Sequence, residues 1–166
     1  LAGSPFVVME SRGHSASEIG LWFTMVAIGY LSGNLIAGRF SVPFGTNKMI
    51  RYGCVPGLCA VFIIWALSSW SHPLGLFIPM FCVALSNGMS LPNVMSAAMS
   101  VNPKLISTAS GLAGSIQVGF GVLLTYFLGV LLPSSDYWLN VFMTGSAVFW
   151  VVGLLTWRRL TKEDRR

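Results

Sequence analysis

Apolar residues fill long stretches of this chain, and polar residues are confined to short breaks between them. A helix needs about 20 mostly apolar residues to cross a bilayer. The stretches that contain no Asp, Glu, Lys or Arg are 19–38, 52–103, 105–135 and 137–157. The second is long enough to cross twice, so the pattern predicts five membrane-spanning helices. These are 17–40, 50–70, 74–100, 105–132 and 137–158.

Turn and helix-stop residues mark the breaks between the predicted spans. They are Pro43-Phe44-Gly45, His72-Pro73, Asn102-Pro103 and Pro133-Ser134-Ser135-Asp136. Every connection is short, so neighbouring helices are expected to run antiparallel.

The beginning of the chain predicts a further, incomplete span. Residues 1–10 start with an apolar run that is too short to cross a bilayer and that carries no initiator Met. The charged, apolar and cleavage regions of a signal peptide are absent from it. We interpret residues 1–10 as the end of a truncated helix, and the sequence as a fragment.

Composition excludes a soluble globular domain. Hydrophobic residues make up 54% of the chain and charged residues only 9%, whereas about 25% of an ordinary soluble domain is charged. The fold class predicted is an all-α polytopic membrane protein. The three cysteines, Cys54, Cys59 and Cys82, lie in apolar stretches without C-x-x-C spacing, so we expect neither a metal site nor a cofactor.

The basic residues predict the orientation of the chain, because short loops rich in Lys and Arg stay on the cytoplasmic side. Of the 10 basic residues, only Arg12 falls on the opposite side from the others. The loop 39–52 and the tail 159–166 are therefore predicted to be cytoplasmic. The tail also contains Glu163 and Asp164, so it does not indicate a nucleic-acid partner.

Small residues recur at helical spacing in two of the predicted spans. Ser107, Gly111, Ser115 and Gly119 repeat every four residues, and Gly29 and Gly33 form a G-x-x-x-G pair. In lipid, such residues allow helix backbones to approach closely. Two interpretations stay open: static helix packing, or smooth faces that let helices rock during alternating access.

Uncharged polar residues lie at membrane depth in the predicted spans, while ionisable groups are absent from the middle of all five. The polar residues are Asn34, Asn87, Asn93 and Gln117. Asn87 and Gln117 lie near the middle of their helices, so each is expected to bond to another helix, line a wet cavity or contact a substrate. Pro92 removes a backbone donor, and together with Gly88 it predicts a kink.

These residues resemble a known family. The segment Gly33-Asn-Leu-Ile-Ala-Gly-Arg-Phe-Ser-Val-Pro-Phe-Gly-Thr-Asn-Lys48 resembles the glycine-punctuated basic loop between helices eight and nine of the major facilitator superfamily. Further segments are similar to the bicyclomycin-resistance (Bcr/CflA) branch of drug:proton antiporters. They are Ala2–Phe6, Gly20–Phe23, Gly33-Asn34, Pro92-Asn93 and Thr108–Gly114.

The resemblance implies the six-helix C-terminal bundle of a twelve-helix major facilitator fold. Residues 1–10 would end helix seven, and the five spans would be helices eight to twelve. The missing N-terminal six-helix half would be the partner of this bundle. The branch exports small molecules in exchange for protons across the bacterial inner membrane. In this superfamily an acidic residue often precedes the first Arg of the loop, but here Gly38 precedes Arg39, so a charge relay at the loop is not expected.

Candidate site residues follow from the residues and the resemblance together. Glu10 is the one candidate for proton coupling, with the main proton site expected in the missing half. The substrate-binding candidates are Asn87, Gln117, Phe6, Phe23 and Phe120. The candidates for packing or conformational change are Gly33, Asn34, Arg39, Gly45, Pro92, Asn93, Gly111 and Gly119.

Two other functions compete with proton-coupled efflux. One is a membrane scaffold or assembly subunit that transports nothing, and the other is a major facilitator carrier of a different solute. An enzyme is not expected, because no metal cluster and no nucleophile with an identifiable base lies at membrane depth.

Overall fold

A computed structural model describes residues 16–67, 70, 72–100, 106–131, 141, 144, 145 and 148. The predictions for residues 1–15, including Phe6 and Glu10, lie outside the described residues, as does most of the predicted span 137–158. The four helices described are α1 (Ala16–Phe44), α2 (Thr46–Ala66), α3 (Leu74–Ser100) and α4 (Ile106–Leu131).

All four helices are long and apolar enough to cross a membrane. Their lengths are 29, 21, 27 and 26 residues, compared with the roughly 20 residues that a bilayer requires. A helix satisfies its backbone hydrogen bonds within itself, which is what an apolar solvent demands. The helices fall on four of the five predicted segments; their numbering within a larger fold stays a prediction.

A single residue, Gly45, joins α1 to α2. Its backbone has φ 84° and ψ 146°, a region that is open almost only to glycine. The Gly45 N–H donates to the Ser41 carbonyl at 2.9 Å and so caps α1. The Gly45 carbonyl accepts from the amides of Lys48 (3.1 Å) and Met49 (3.2 Å) and so starts α2. The turn lies where it was predicted, but the helices extend further into the predicted 39–52 loop.

The α2–α3 connection is also tight. Helix α2 ends at Ala66, four residues before the predicted end of that span, and the Leu67 N–H donates to the Ile63 carbonyl at 2.9 Å. Helix α3 begins directly after Pro73 and contains both Pro79 and Pro92.

Helix α3 lies at the centre of the described bundle. It packs along both α1 and α2, whereas α1 and α2 touch each other over a shorter length and α4 contacts α3 only slightly. The core is built mainly where α1, α2 and the first half of α3 meet. Its buried residues are Ile19, Val26, Ile64, Leu76, Phe77, Met80 and Ala84.

Helix α4 contrasts with the other three because none of its described side chains is buried. Helix α2 has a further contact, since the Trp65 indole Nε1–H donates to the Thr144 hydroxyl at 3.0 Å. This bond ties the end of α2 to a residue in the predicted span 137–158.

Candidate functional site

Glycines on both sides bring α1 and α3 into backbone contact. A Cβ atom placed on Gly33 would lie 2.9 Å from both the Gly88 Cα and the Met89 N, and one on Gly29 would lie 2.8 Å from the Phe81 carbonyl oxygen. A Cβ on Gly88 would in turn lie 2.9 Å from the Asn34 N. The predicted G-x-x-x-G pair of α1 is therefore a packing surface, and its counterpart on α3 is Gly88.

The contact between α2 and α3 is built from glycine opposite serine. Gly53 faces the Ser90 hydroxyl, and a Cβ on Gly57 would lie 2.8 Å from the Ser86 Oγ. Ser86 and Ser90 are 2% and 0% exposed. None of these four residues was among the candidates drawn from the sequence. The sequence did carry a signal for this contact, because the two glycines are four residues apart and so are the two serines, the same spacing as that of Gly29 and Gly33.

Two of the predicted asparagines bond to their own helices. The Asn34 Nδ2 donates to the Tyr30 carbonyl at 2.9 Å, and the Asn93 Nδ2 donates to the Met89 carbonyl at 2.8 Å. Asn93 is buried and Asn34 is half-buried. Each of these amides thus donates one hydrogen bond within its own helix, beside the helix contacts.

Asn87 and Gln117 differ from these two asparagines. Asn87 is half-buried on α3, and Gln117 is exposed on α4. Neither side chain forms a hydrogen bond with the residues that the structure describes. The two amides therefore keep hydrogen-bonding capacity for a partner outside that part of the chain.

The aromatic candidate Phe23 lies away from Asn87. Phe23 packs edge-on against Phe77 with ring centroids 5.6 Å apart. Asn87 follows Phe77 by ten residues, which is about 15 Å along a helix. Phe120 is 50% exposed on α4. The structure places the described candidates on three helices: Phe23 on α1, Asn87 on α3, and Gln117 and Phe120 on α4.

The other packing candidates have little contact around them. Arg39 and Pro92 are exposed. A Cβ on Gly111 or Gly119 would meet nothing within 4 Å among the described residues. Within the part of the chain that the structure describes, the small-residue face of α4 thus makes no close helix contact of the kind that the face of α1 makes.

The chemistry available in the inner parts of these helices is neutral. No Asp, Glu, Lys or Arg occurs in 19–38, 52–100 or 106–131, so a ligand between them would meet amides, hydroxyls, sulfur and aromatic rings. Such a surface suits an uncharged or weakly polar solute, and it offers no cation to pair with an obligate anion.

Length, hydropathy and helix packing together define a multi-pass helical membrane protein. Residues 2–166 match the family model of the Major Facilitator Superfamily, and the chain belongs to that superfamily, whose members are transporters. Neither a curated protein nor a solved structure matches the chain.

Proposed function

We propose that this chain is the C-terminal half of a proton-coupled antiporter of the Bcr/CflA branch, which exports drugs or other small molecules by alternating access. Membership of the Major Facilitator Superfamily supports a transport function. The export direction and the branch are supported by the resemblance of Gly20–Phe23, Pro92-Asn93 and Thr108–Gly114 to that branch.

The observation that carries the proposed substrate site is the pair of amides Asn87 and Gln117. An amide at membrane depth is costly unless it finds a hydrogen-bond partner. Asn34 and Asn93 find that partner in their own helices, whereas Asn87 and Gln117 do not. We assign substrate contact to these two amides, and Phe6, Phe23 and Phe120 stay the candidates for apolar contact with the substrate.

Proton coupling is assigned to a carboxylate outside the described helices. Glu10 is the candidate in this chain, and the main site is assigned to an N-terminal six-helix half. That half would complete a twelve-helix fold. We place the protein in the bacterial inner membrane with its C-terminus in the cytoplasm.

The test is drug export by the full-length protein in inverted vesicles energised by a proton gradient. We expect Asn87→Leu and Gln117→Leu each to lower transport about tenfold for at least one substrate, since each loses a hydrogen bond worth about 1–1.5 kcal/mol. Collapse of the proton gradient should stop export by the unmodified protein.

Thr125→Val is the matched control. Thr125 is also an exposed polar residue on α4, but its hydroxyl donates to the Gly121 carbonyl of its own helix at 2.8 Å. It should transport normally. Full export by both leucine variants would reject the site. Transport of other solutes without any drug export would favour a different carrier, and absence of all transport would favour a scaffold.

A further inference from the structure

A groove of about 660 Å³ runs along the first half of α1 and reaches the turn before α3. Its lining includes Glu18 and His72 at one end and Met25 and Ile28 at the other. Glu18 is the one residue with a formal charge at neutral pH among the described residues that line it. The groove is thus polar at one end and mainly apolar along the rest of its length.

Aromatic rings pack against one another at the polar end of the groove. The Trp22 indole lies edge-on to the His72 imidazole, with centroids 6.0 Å apart, and stacks on Phe77 at 5.9 Å. His72 also stacks on Trp70 at 5.4 Å. The Leu74 N–H donates to the His72 Nδ1 at 3.2 Å. Electron-rich ring faces beside a carboxylate attract an ammonium group.

The apolar part of the groove follows one stripe of α1. Leu21, Met25 and Ile28 are spaced four and three residues apart, so they lie on the same side of the helix. Leu21 is 75% exposed and Ile28 is 53% exposed. From Glu18 to Ile28 the helix rises about 15 Å. This length accommodates part of an acyl chain below a headgroup.

We infer that this groove binds a bilayer phospholipid with a primary ammonium headgroup. Tryptophan side chains favour the membrane–water interface, so Trp22 and Trp70 place Glu18 at the depth of the headgroups. The carboxylate complements the ammonium group, and the exposed apolar stripe leads from it towards the bilayer interior. The proposal depends on membrane insertion of α1 and is independent of the transported substrate.

The experiment is native mass spectrometry of the full-length, delipidated protein in detergent. Phosphatidylethanolamine and phosphatidylglycerol with identical acyl chains are titrated separately. We expect phosphatidylethanolamine to bind about fivefold more tightly, a difference typical of one cation–π contact together with one charge pair. Glu18→Gln should remove most of that preference.

Leu21→Gln and Leu35→Gln form a matched pair, since Leu21 and Leu35 are both 75% exposed on α1 and only Leu21 lines the groove. Leu21→Gln should weaken phosphatidylethanolamine binding about threefold, in line with the loss of one apolar contact. Leu35→Gln should leave it unchanged.

Equal binding of the two lipids, or equal effects of the two glutamine variants, would overturn the inference. Dodecyltrimethylammonium serves as a soluble cationic probe. If it bound in a Glu18-dependent manner while phosphatidylethanolamine did not, the groove would be a site for a soluble cation and not for lipid. Lipid binding is measured without transport, so its failure would leave the proposed efflux function standing.

Discussion

Helices α1 and α4 carry the same sequence motif but differ in their packing. Gly29 and Gly33 of α1 are pressed against the backbone of α3, whereas Gly111 and Gly119 of α4 have open space around them among the described residues. Both pairs consist of small residues repeated at multiples of four along an apolar helix. The motif alone therefore does not determine whether a helix is packed.

The difference lies in the opposing helix. In lipid there is little hydrophobic force between helices, and close packing needs complementary surfaces on both sides. Helix α3 offers Gly88 opposite Gly33, and each glycine leaves room for the other's backbone. Helix α4 has only slight contact with α3.

The largest expected effect is that of Gly33→Ala. Its new methyl group would collide with backbone atoms of Leu85, Gly88 and Met89, which cannot move aside as a flexible side chain can. We expect a loss of about 2–3 kcal/mol, the usual cost of overpacking a tight contact. Unfolding of the full-length protein by denaturing detergent measures this loss.

Gly20→Ala is the control for that prediction. Gly20 lies on the same helix, and a Cβ atom at this position would meet nothing within 4 Å among the described residues. Alanine there should therefore not destabilise the protein. If the Gly33→Ala and Gly20→Ala proteins were equally stable in this unfolding assay, the close backbone contact between α1 and α3 would be wrong.

Gly45→Ala is expected to cost somewhat less, about 2 kcal/mol, and for a different reason. A Cβ there would meet nothing within 4 Å among the described residues, but alanine is strained at φ 84°. Gly38→Ala is the control variant. A Cβ at position 38 would also meet nothing within 4 Å among the described residues, but Gly38 has no positive φ. Equal stability of the two variants in the same unfolding assay would contradict a strained turn at position 45.

Gly53→Ala should cost about 1–2 kcal/mol, because the new methyl group meets the Ser90 hydroxyl and not rigid backbone. Ser90→Ala removes the obstructing oxygen, which is buried and has no hydrogen-bond partner among the described residues. The double variant should recover most of the loss. A double-mutant cycle measures this coupling, and simple additivity would show that the two residues do not meet.

Much of the fold was predictable from charge and hydropathy. Long stretches without charged residues predicted helices where α1 to α4 occur, because a bilayer-spanning backbone must satisfy its own hydrogen bonds. The starts of α3 and α4 agree within a residue of the predicted 74 and 105. The end of α1 was less predictable, since Pro43 is accommodated in the last turn and Gly45 alone reverses the chain.

The candidate site was predictable in its residue types more than in its contacts. The Gly29–Gly33 pair was recognised from spacing, but spacing cannot name Gly88 as the opposing residue. Asn34 and Asn87 look alike in the sequence, yet only Asn34 bonds to its own helix. Which amide bonds to its own helix depends on local rotamers and on neighbouring helices, and hydropathy predicts neither.

The smallest expected effect, that of Gly111→Ala, tests the comparison between α1 and α4 most directly. With nothing among the described residues within 4 Å of the new methyl group, the substitution should be neutral or should stabilise the protein by up to about 1 kcal/mol, because alanine favours the helix over glycine. The same unfolding assay on the full-length protein measures it beside Gly33→Ala. A loss as large as that of Gly33→Ala would mean that α4 is as tightly packed as α1 in the complete protein. The contrast between the two glycine motifs would then disappear.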